Sequence, residues 1–249
     1  MVQSIKDLEK RCQNVHLGGF YDRALRKISI RMTWAFLHTK MTANQISFLS
    51  GVVGVLGATL FIYSSPLYWI LGWGILQIHL ILDRVDGEVA RYRKSESGFG
   101  DYMETFVHYL VQPFIFVPIS FGLYNIFKNQ LIFALGFSAI FGMVLLSIHD
   151  IYLLKAYKKR KGVALKEGTE AGIFGTILDI FKKIRDNIWP SFSFHTMMLA
   201  SILDLFFRFP EIGVPMNFRF LALAAFGIVL PLTFFMRAFA FSKELRTKK

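Results

Sequence analysis

The sequence predicts an all-α, polytopic membrane protein of six transmembrane helices, preceded by an amphipathic helix lying in the membrane interface. Three observations carry that prediction. Apolar residues make up 54% of the 249, including 27 Phe, and charged residues only 18%. Mean hydropathy is +0.44, whereas a soluble domain carries about a quarter of its residues charged. Apolar runs of about 20 residues recur along the chain, each enough to cross a hydrocarbon core of about 30 Å. The 29 Lys and Arg gather at only some of the boundaries between these runs. One cysteine, Cys12, excludes an internal disulfide framework. Residues 1–40 are polar and basic, so no secretory signal peptide is expected.

Taken in order, residues 1–43 form a cytoplasmic and interfacial segment and residues 44–249 the membrane domain. Residues 1–19 are polar and show no assignable pattern. From Phe20 to Leu37, the residues Tyr21, Ala24, Leu25, Ile28, Met32, Ala35 and Phe36 fall on one helical stripe, flanked by Arg23, Arg26, Lys27 and Arg31. That pattern predicts an interfacial helix whose basic side meets anionic lipid headgroups. Thr42 or Asn44 caps the next helix. The six spans are expected near residues 44–63, 66–91, 100–125, 130–156, 191–209 and 217–241. Gly51, Gly54 and Gly57 permit close helix contact in the first. The loop from Lys155 to Pro190 opens on Lys158-Lys159-Arg160-Lys161. Ile173, Phe174, Ile177, Leu178, Phe181 and Ile184 then predict a second interfacial helix.

Charge sets the orientation. Lys128, Arg208 and Arg219 fall on one side of the predicted spans and the other 26 basic residues on the opposite side. Positive residues stay cytoplasmic, which puts both termini inside, together with the acidic stretch at residues 83–108. Two carboxylates in that stretch, Asp83 and Asp86, share one helical face with Gly87 and Ala90. Gly100, Glu104 and His108 share a face of the next span. Folded as a hairpin, the faces converge. A carboxylate near hydrocarbon costs about 2.5–3.5 kcal/mol, and two of them ~4 Å apart repel by roughly 4 kcal/mol at an effective dielectric of 20. A bound divalent cation offsets both, so the cluster reads as a metal site.

The stretch Asp83-x-x-Asp86-Gly87-x-x-Ala90-Arg91, eight residues, Gly100, three residues, Glu104, three residues, His108 resembles the signature of the CDP-alcohol phosphotransferase family, D-x-x-D-G-x-x-A-R-x8-G-x3-D-x3-D. Every spacing matches; Glu104 replaces the third Asp and His108 the fourth. Thr42-Ala43-Asn44-Gln45-Ile46-Ser47 is similar to the T-P-N-x-[IV]-T segment of the family, with Ala43 for Pro and Ser47 for Thr. The resemblance implies transfer of a substituted phosphate from a CDP-linked donor (CDP-diacylglycerol or a CDP-alcohol) to an alcohol acceptor, with release of CMP, in phospholipid biosynthesis. It implies two divalent ions, Mg²⁺ or Mn²⁺, held by Asp83, Asp86 and Glu104. Asp101, on the same face, can supply the charge missing at His108. His108 takes the place of the base and second-metal ligand. Asn44, Ser47, Gly87, Ala90, Arg91 and Gly100 are expected to hold the nucleotide. A homodimer is implied; a nucleic-acid partner is not expected.

Further ionisable residues fall inside predicted spans: His149, Asp150, His195, Asp204 and Arg237. They match no motif and suit acceptor contact or helix pairing equally. Two alternatives compete with transfer. The Glu104 and His108 replacements suit a weakened member that binds nucleotide or lipid without turnover. Intramembrane acids also suit a cation transporter, but these gather at one face only. The sequence leaves the acceptor open, and leaves open whether the lipid is donor or acceptor.

Overall fold

The structure, a computed structural model, describes residues 4–13, 20–159, 195–207 and 217–247. Every regular element among the described residues is helical. The chain divides into two compact units, Met1–Ile126 and Phe127–Lys249.

The first unit opens on a helix in the stretch left unassigned above. Helix α1, Ile5–Cys12, starts where the Ser4 side chain accepts from the Asp7 N–H, and it buries Leu8 and Cys12. Helix α2, Phe20–Leu37, and helix α4, Pro66–Arg93, pack together. Their pairings advance in the same order along both helices. Tyr21 donates to Gln77, Arg84 to Asp22, Ser29 and Thr33 to Glu88, and Arg93 to the carbonyls of Thr39 and Met41. The face α2 buries is therefore Leu25, Ser29, Ile30, Thr33 and Leu37. It is a different face from the apolar stripe read for the lipid interface, of which Ala24, Ile28 and Ala35 are exposed. The reason is local: a buried carboxylate, Glu88, needs hydroxyl donors, and Ser29 and Thr33 supply them.

Thr42, not Asn44, caps helix α3, Ala43–Thr59, in a capping box with Gln45. A 3₁₀ turn, Leu60–Ile62, and a bend bring the chain to Pro66, the first residue of α4. The glycines of α3 act as close-contact points. A Cβ on Gly54 would sit 2.9 Å from Val111 Cγ1, and one on Gly57 3.1 Å from the Gly72 carbonyl oxygen. Helix α3 thus packs against both α4 and α5, Gly98–Phe114. The third expected span is two helices, α5 and α6, Phe116–Phe127. Pro118 lacks the N–H that would bond to Phe114, and Pro113 the one that would bond to Tyr109, so the helix breaks between them.

In the second unit, helix α7, Leu131–Lys159, packs on helix α9, Phe218–Thr247. Ser138 donates to the Gly227 carbonyl at 2.6 Å, and a Cβ on Gly142 would meet Pro231 N at 2.5 Å. Helix α8, His195–Phe206, carries Asp204, which caps α9 through the Phe218 N–H at 2.7 Å and pairs with Arg219 at 2.6 Å. Of the two uses expected for Asp204, this is helix pairing.

Among the described residues, four helical segments are long and apolar enough to cross a membrane: Ala43–Ile62, Gly98–Phe127, Leu131–His149 and Phe218–Phe239. Two of the six expected spans fall outside that group. Helix α4 has 28 residues, but Gln77, His79 and its charged last third dilute it. Helix α8 is short, His195–Phe206. The second interfacial helix and the basic run from Arg160 onward lie outside the described residues, as does the Asp150 side chain.

Candidate active site

The site forms where α3, α4 and α5 end near one another. Helix α4 stops at Lys94, in the left-handed region at φ 53°. Ser97 then starts α5, its hydroxyl accepting from the Gly100 N–H at 3.1 Å. This short connection brings residues from the two halves of the signature to one cavity. Helix α3 contributes Asn44 and Ser47 to its wall. Helix α4 contributes Asp86, Gly87, Ala90 and Arg91. Helix α5 contributes Gly100, Asp101 and Glu104. Every residue the resemblance gave to the nucleotide lines this space. Ala43, named in the sequence only as the replacement for Pro, lines it as well, together with Glu96 and Ser97, which sequence reasoning passed over. Glu96 and Ser97 sit in a connecting loop with no apolar periodicity to mark which way they face.

Asp86 is 4% exposed and already engaged. Its Oδ2 accepts from Ser47 Oγ and its Oδ1 from the Gly87 N–H, both at 2.5 Å. Gly87 has a second use. The Arg91 Nη1 lies 3.1 Å from where a Gly87 Cβ would be. The missing side chain lets the guanidinium lie over the helix surface beside the cavity. Arg91 Nε donates to the Cys12 carbonyl at 2.7 Å, which fixes that pose from outside the signature.

The remaining two signature residues pair with each other. His108 Nε2 stands 3.4 Å from Asp83 Oδ2, and Gln112 Nε2 stands 3.4 Å from His108 Nδ1. Neither Asp83 nor His108 is on the cavity wall. One turn deeper on α4, His79 is fully buried and bonded through Nδ1 to Ser50. The candidate residues therefore form two groups, a carboxylate-walled cavity and an Asp–His pair.

The donor set of the cavity suits a hard cation in kind: Asp86, Asp101 and Glu104 offer carboxylate oxygens from two helices. As placed, no three His, Cys, Asp or Glu side chains among the described residues converge closely enough to hold an ion. Ser47 and His108 occupy oxygens of Asp86 and Asp83 that a metal would take.

A membrane-type helical bundle with this signature around one acid-walled cavity defines a class of phosphotransferases. Residues 40–229 match the CDP-alcohol phosphatidyltransferase family, and the chain belongs to it. Three curated relatives are each described as "Bifunctional IPC transferase and DIPP synthase". The protein from Aquifex aeolicus is 32% identical over 150 residues, 60% of this chain and 33% of the relative. The one from Archaeoglobus fulgidus is 33% identical over 148 residues, 59% of this chain and 27% of the relative. The one from Thermococcus kodakarensis is 29% identical over 177 residues, 68% of this chain and 39% of the relative. The matches thus span about a third of the length of these relatives.

Proposed function

We propose that the chain transfers a substituted phosphate from a CDP-linked donor to an alcohol acceptor in phospholipid biosynthesis, releasing CMP at the cytoplasmic face of a membrane. The observation that supports this best is the single cavity lined by Asn44, Ser47, Asp86, Gly87, Ala90, Arg91, Gly100, Asp101 and Glu104. The small residues Gly87, Ala90 and Gly100 leave room for the nucleotide, and Arg91 offers guanidinium N–H groups to its phosphates. Asp83, Asp86, Asp101 and Glu104 are the residues that would hold Mg²⁺ or Mn²⁺. Bound there, such ions neutralise phosphate charge on the attacking and leaving sides. In this reading Asp83 holds the Nε2 proton of His108, and Nδ1, once the Gln112 amide gives way to the acceptor hydroxyl, is the basic atom. His108 then takes the proton of the acceptor hydroxyl. The acceptor oxygen bonds to the phosphorus distal to cytidine, and CMP departs with the electrons of the broken P–O bond.

The names of the relatives suggest an IPC transferase or a DIPP synthase type of reaction. All six expected helices span the membrane in this reading, α4 and α8 included. Helix α2 lies along the interface, with exposed Ile28 and Trp34 toward lipid and Arg23, Lys27 and Arg31 toward anionic headgroups. The working unit is a homodimer, as the family resemblance implies. A second reading has one observation in its favour: Glu104 and His108 stand where the signature carries Asp. If these replacements leave the metal unheld, the chain binds nucleotide or lipid without turnover.

The deciding experiment incubates purified protein with a panel of CDP-linked donors and alcohols, free and phosphorylated, with Mg²⁺ or Mn²⁺, and measures CMP. Metal-dependent CMP release with one pair supports transfer, and nucleotide binding without release supports the second reading. Orientation is tested in a Cys12→Ser background. Ser64→Cys should react with an impermeant maleimide from outside intact cells, and Ser95→Cys should not. The reverse pattern would invert the topology.

A further inference from the structure

The N-terminal helix reaches the donor cavity through Arg91. Its last residues lie against two side chains of α4 that are one turn apart. Glu88 is 1% exposed and accepts from Gln13 Nε2 at 2.7 Å, Ser29 Oγ at 2.7 Å and Thr33 Oγ1 at 2.6 Å. A buried carboxylate is stable only when its oxygens are bonded in this way. Gln13 also donates to the Arg26 carbonyl at 2.8 Å, so it ties α1, α2 and α4 together. Gln13 is the C-cap of α1, and the preceding carbonyl, that of Cys12, accepts from Arg91 Nε. Arg11 adds a contact at the same end, its guanidinium 4.9 Å above the Tyr92 ring.

We propose that Gln13 and Glu88 are positioning residues for the donor site, and that α1 is a clamp which sets the Arg91 guanidinium for a nucleotide phosphate. This rests on the reading of the cavity as a CDP-donor site. The chain of contacts has a direction. Glu88 fixes the Gln13 amide, and Gln13 fixes the end of α1. The Cys12 carbonyl then takes Nε, the one N–H that points back along the arginine stem. The two Nη groups are left to lie over Gly87, beside the cavity. Without the carbonyl, the long side chain regains its rotamer freedom and meets the phosphate at an entropic cost.

The test compares binding of CDP and of cytidine, which lacks phosphate, to the purified chain in detergent. Gln13→Met keeps the shape and removes the amide. It should weaken CDP by roughly tenfold, the scale of a charge-assisted hydrogen bond, and leave cytidine unchanged. In an Arg91→Ala background the same substitution should have no further effect on CDP. Thr33→Val removes a different Glu88 donor without touching α1, and should leave the CDP-to-cytidine ratio as in wild type. If Gln13→Met does not fold, Gln13→Asn, one methylene short, takes its place with the same expectation. Equal loss of CDP and cytidine, additivity with Arg91→Ala, or an equal ratio change in Thr33→Val would each make Gln13 merely structural and overturn the clamp. Unchanged CDP binding in Gln13→Met overturns it too. Failure of the wild-type chain to bind CDP would overturn the donor-site reading itself.

Discussion

Asp86 and Glu88 stand two residues apart on α4 and both are buried, 4% and 1% exposed, yet the helix turns them to opposite neighbours. Two residues rotate about 200° around an α-helix. Asp86 faces α3 and the cavity, with one hydroxyl and one backbone N–H on it. Glu88 faces α1 and α2 and is bonded to three side chains that present neutral donors. The second carboxylate is satisfied within the fold. The first shares a wall with Asp101 and Glu104, and the charge of Glu104 repels it. The difference separates a carboxylate that stabilises the fold from one kept for a ligand.

The largest effect should come from breaking each side of that contrast in turn. Asp86→Asn should lower CMP release by roughly 10²–10³-fold or more, the scale of removing one preorganised electrostatic group. Its melting temperature should hold or rise, because repulsion within the cavity is relieved. Glu88→Gln should show the opposite balance. An amide presents N–H groups to donors that need an acceptor, so stability should fall by about 1–3 kcal/mol while transfer persists at a reduced rate. A loss of activity in Asp86→Asn that tracks a loss of fold would erase the distinction.

His108 tests whether the Asp–His pair belongs with the cavity. His108→Ala should slow transfer by about 10²-fold, the lower range for a general base, with CDP affinity unchanged. His108→Asp restores the residue that the signature carries there and should keep measurable activity. A rise in the metal concentration for half-maximal rate in His108→Ala, in place of a slower saturated rate, would make His108 a ligand. Full activity in that variant would leave it structural.

How much of this was legible in the sequence depends on the distance over which each feature is decided. The membrane helices follow from apolar runs, and the two stretches that carry the family resemblance, residues 42–47 and 83–108, put Asn44, Ser47, Gly87, Ala90, Arg91 and Gly100 on the wall of one cavity. Helix α1 was illegible because it buries only Leu8 and Cys12, too few to show a period. Glu88 occupies an unspecified position of the signature, and its partners lie 55 to 75 residues away. No local pattern marks such a site. The face of α2 that packs on α4 was illegible for the same reason: Ser29 and Thr33 look solvent-facing until Glu88 is placed against them. The pairing of His108 with Asp83 is a side-chain choice that spacing does not fix.

A smaller effect should come from Ser47, whose hydroxyl bonds to Asp86 Oδ2. Ser47→Ala frees that oxygen and should lower kcat/KM by about tenfold, as for a hydrogen bond to a charged group. Ser47→Thr keeps the hydroxyl and should stay near wild type. Equal losses in both would mean the space around Ser47 matters and the bond does not.

The smallest effect is expected at a third carboxylate, Asp22, which sharpens the comparison because its partners are cations. Arg26 Nε reaches Asp22 Oδ2 at 2.7 Å and Arg84 Nη2 reaches Oδ1 at 2.5 Å. Burial pushes its pKa up, but the hydrogen bonds and charges of Arg26 and Arg84 outweigh burial and hold it below the ordinary carboxylate value. A depressed folded pKa means that the native state favours the ionised form. The pair therefore stabilises the fold fully above the unfolded value of about 3.9, and that stabilisation is lost as pH falls through the folded value. Asp22 is 24% exposed, so the contribution is about 1 kcal/mol or less. Asp22→Asn should lower the melting temperature in detergent slightly at pH 7. The gap from wild type should close on acidification and vanish below the folded pKa. A gap for Asp22→Asn that is constant from pH 7 down to the lowest pH at which the chain stays folded would show that the aspartate acts by shape and not by charge.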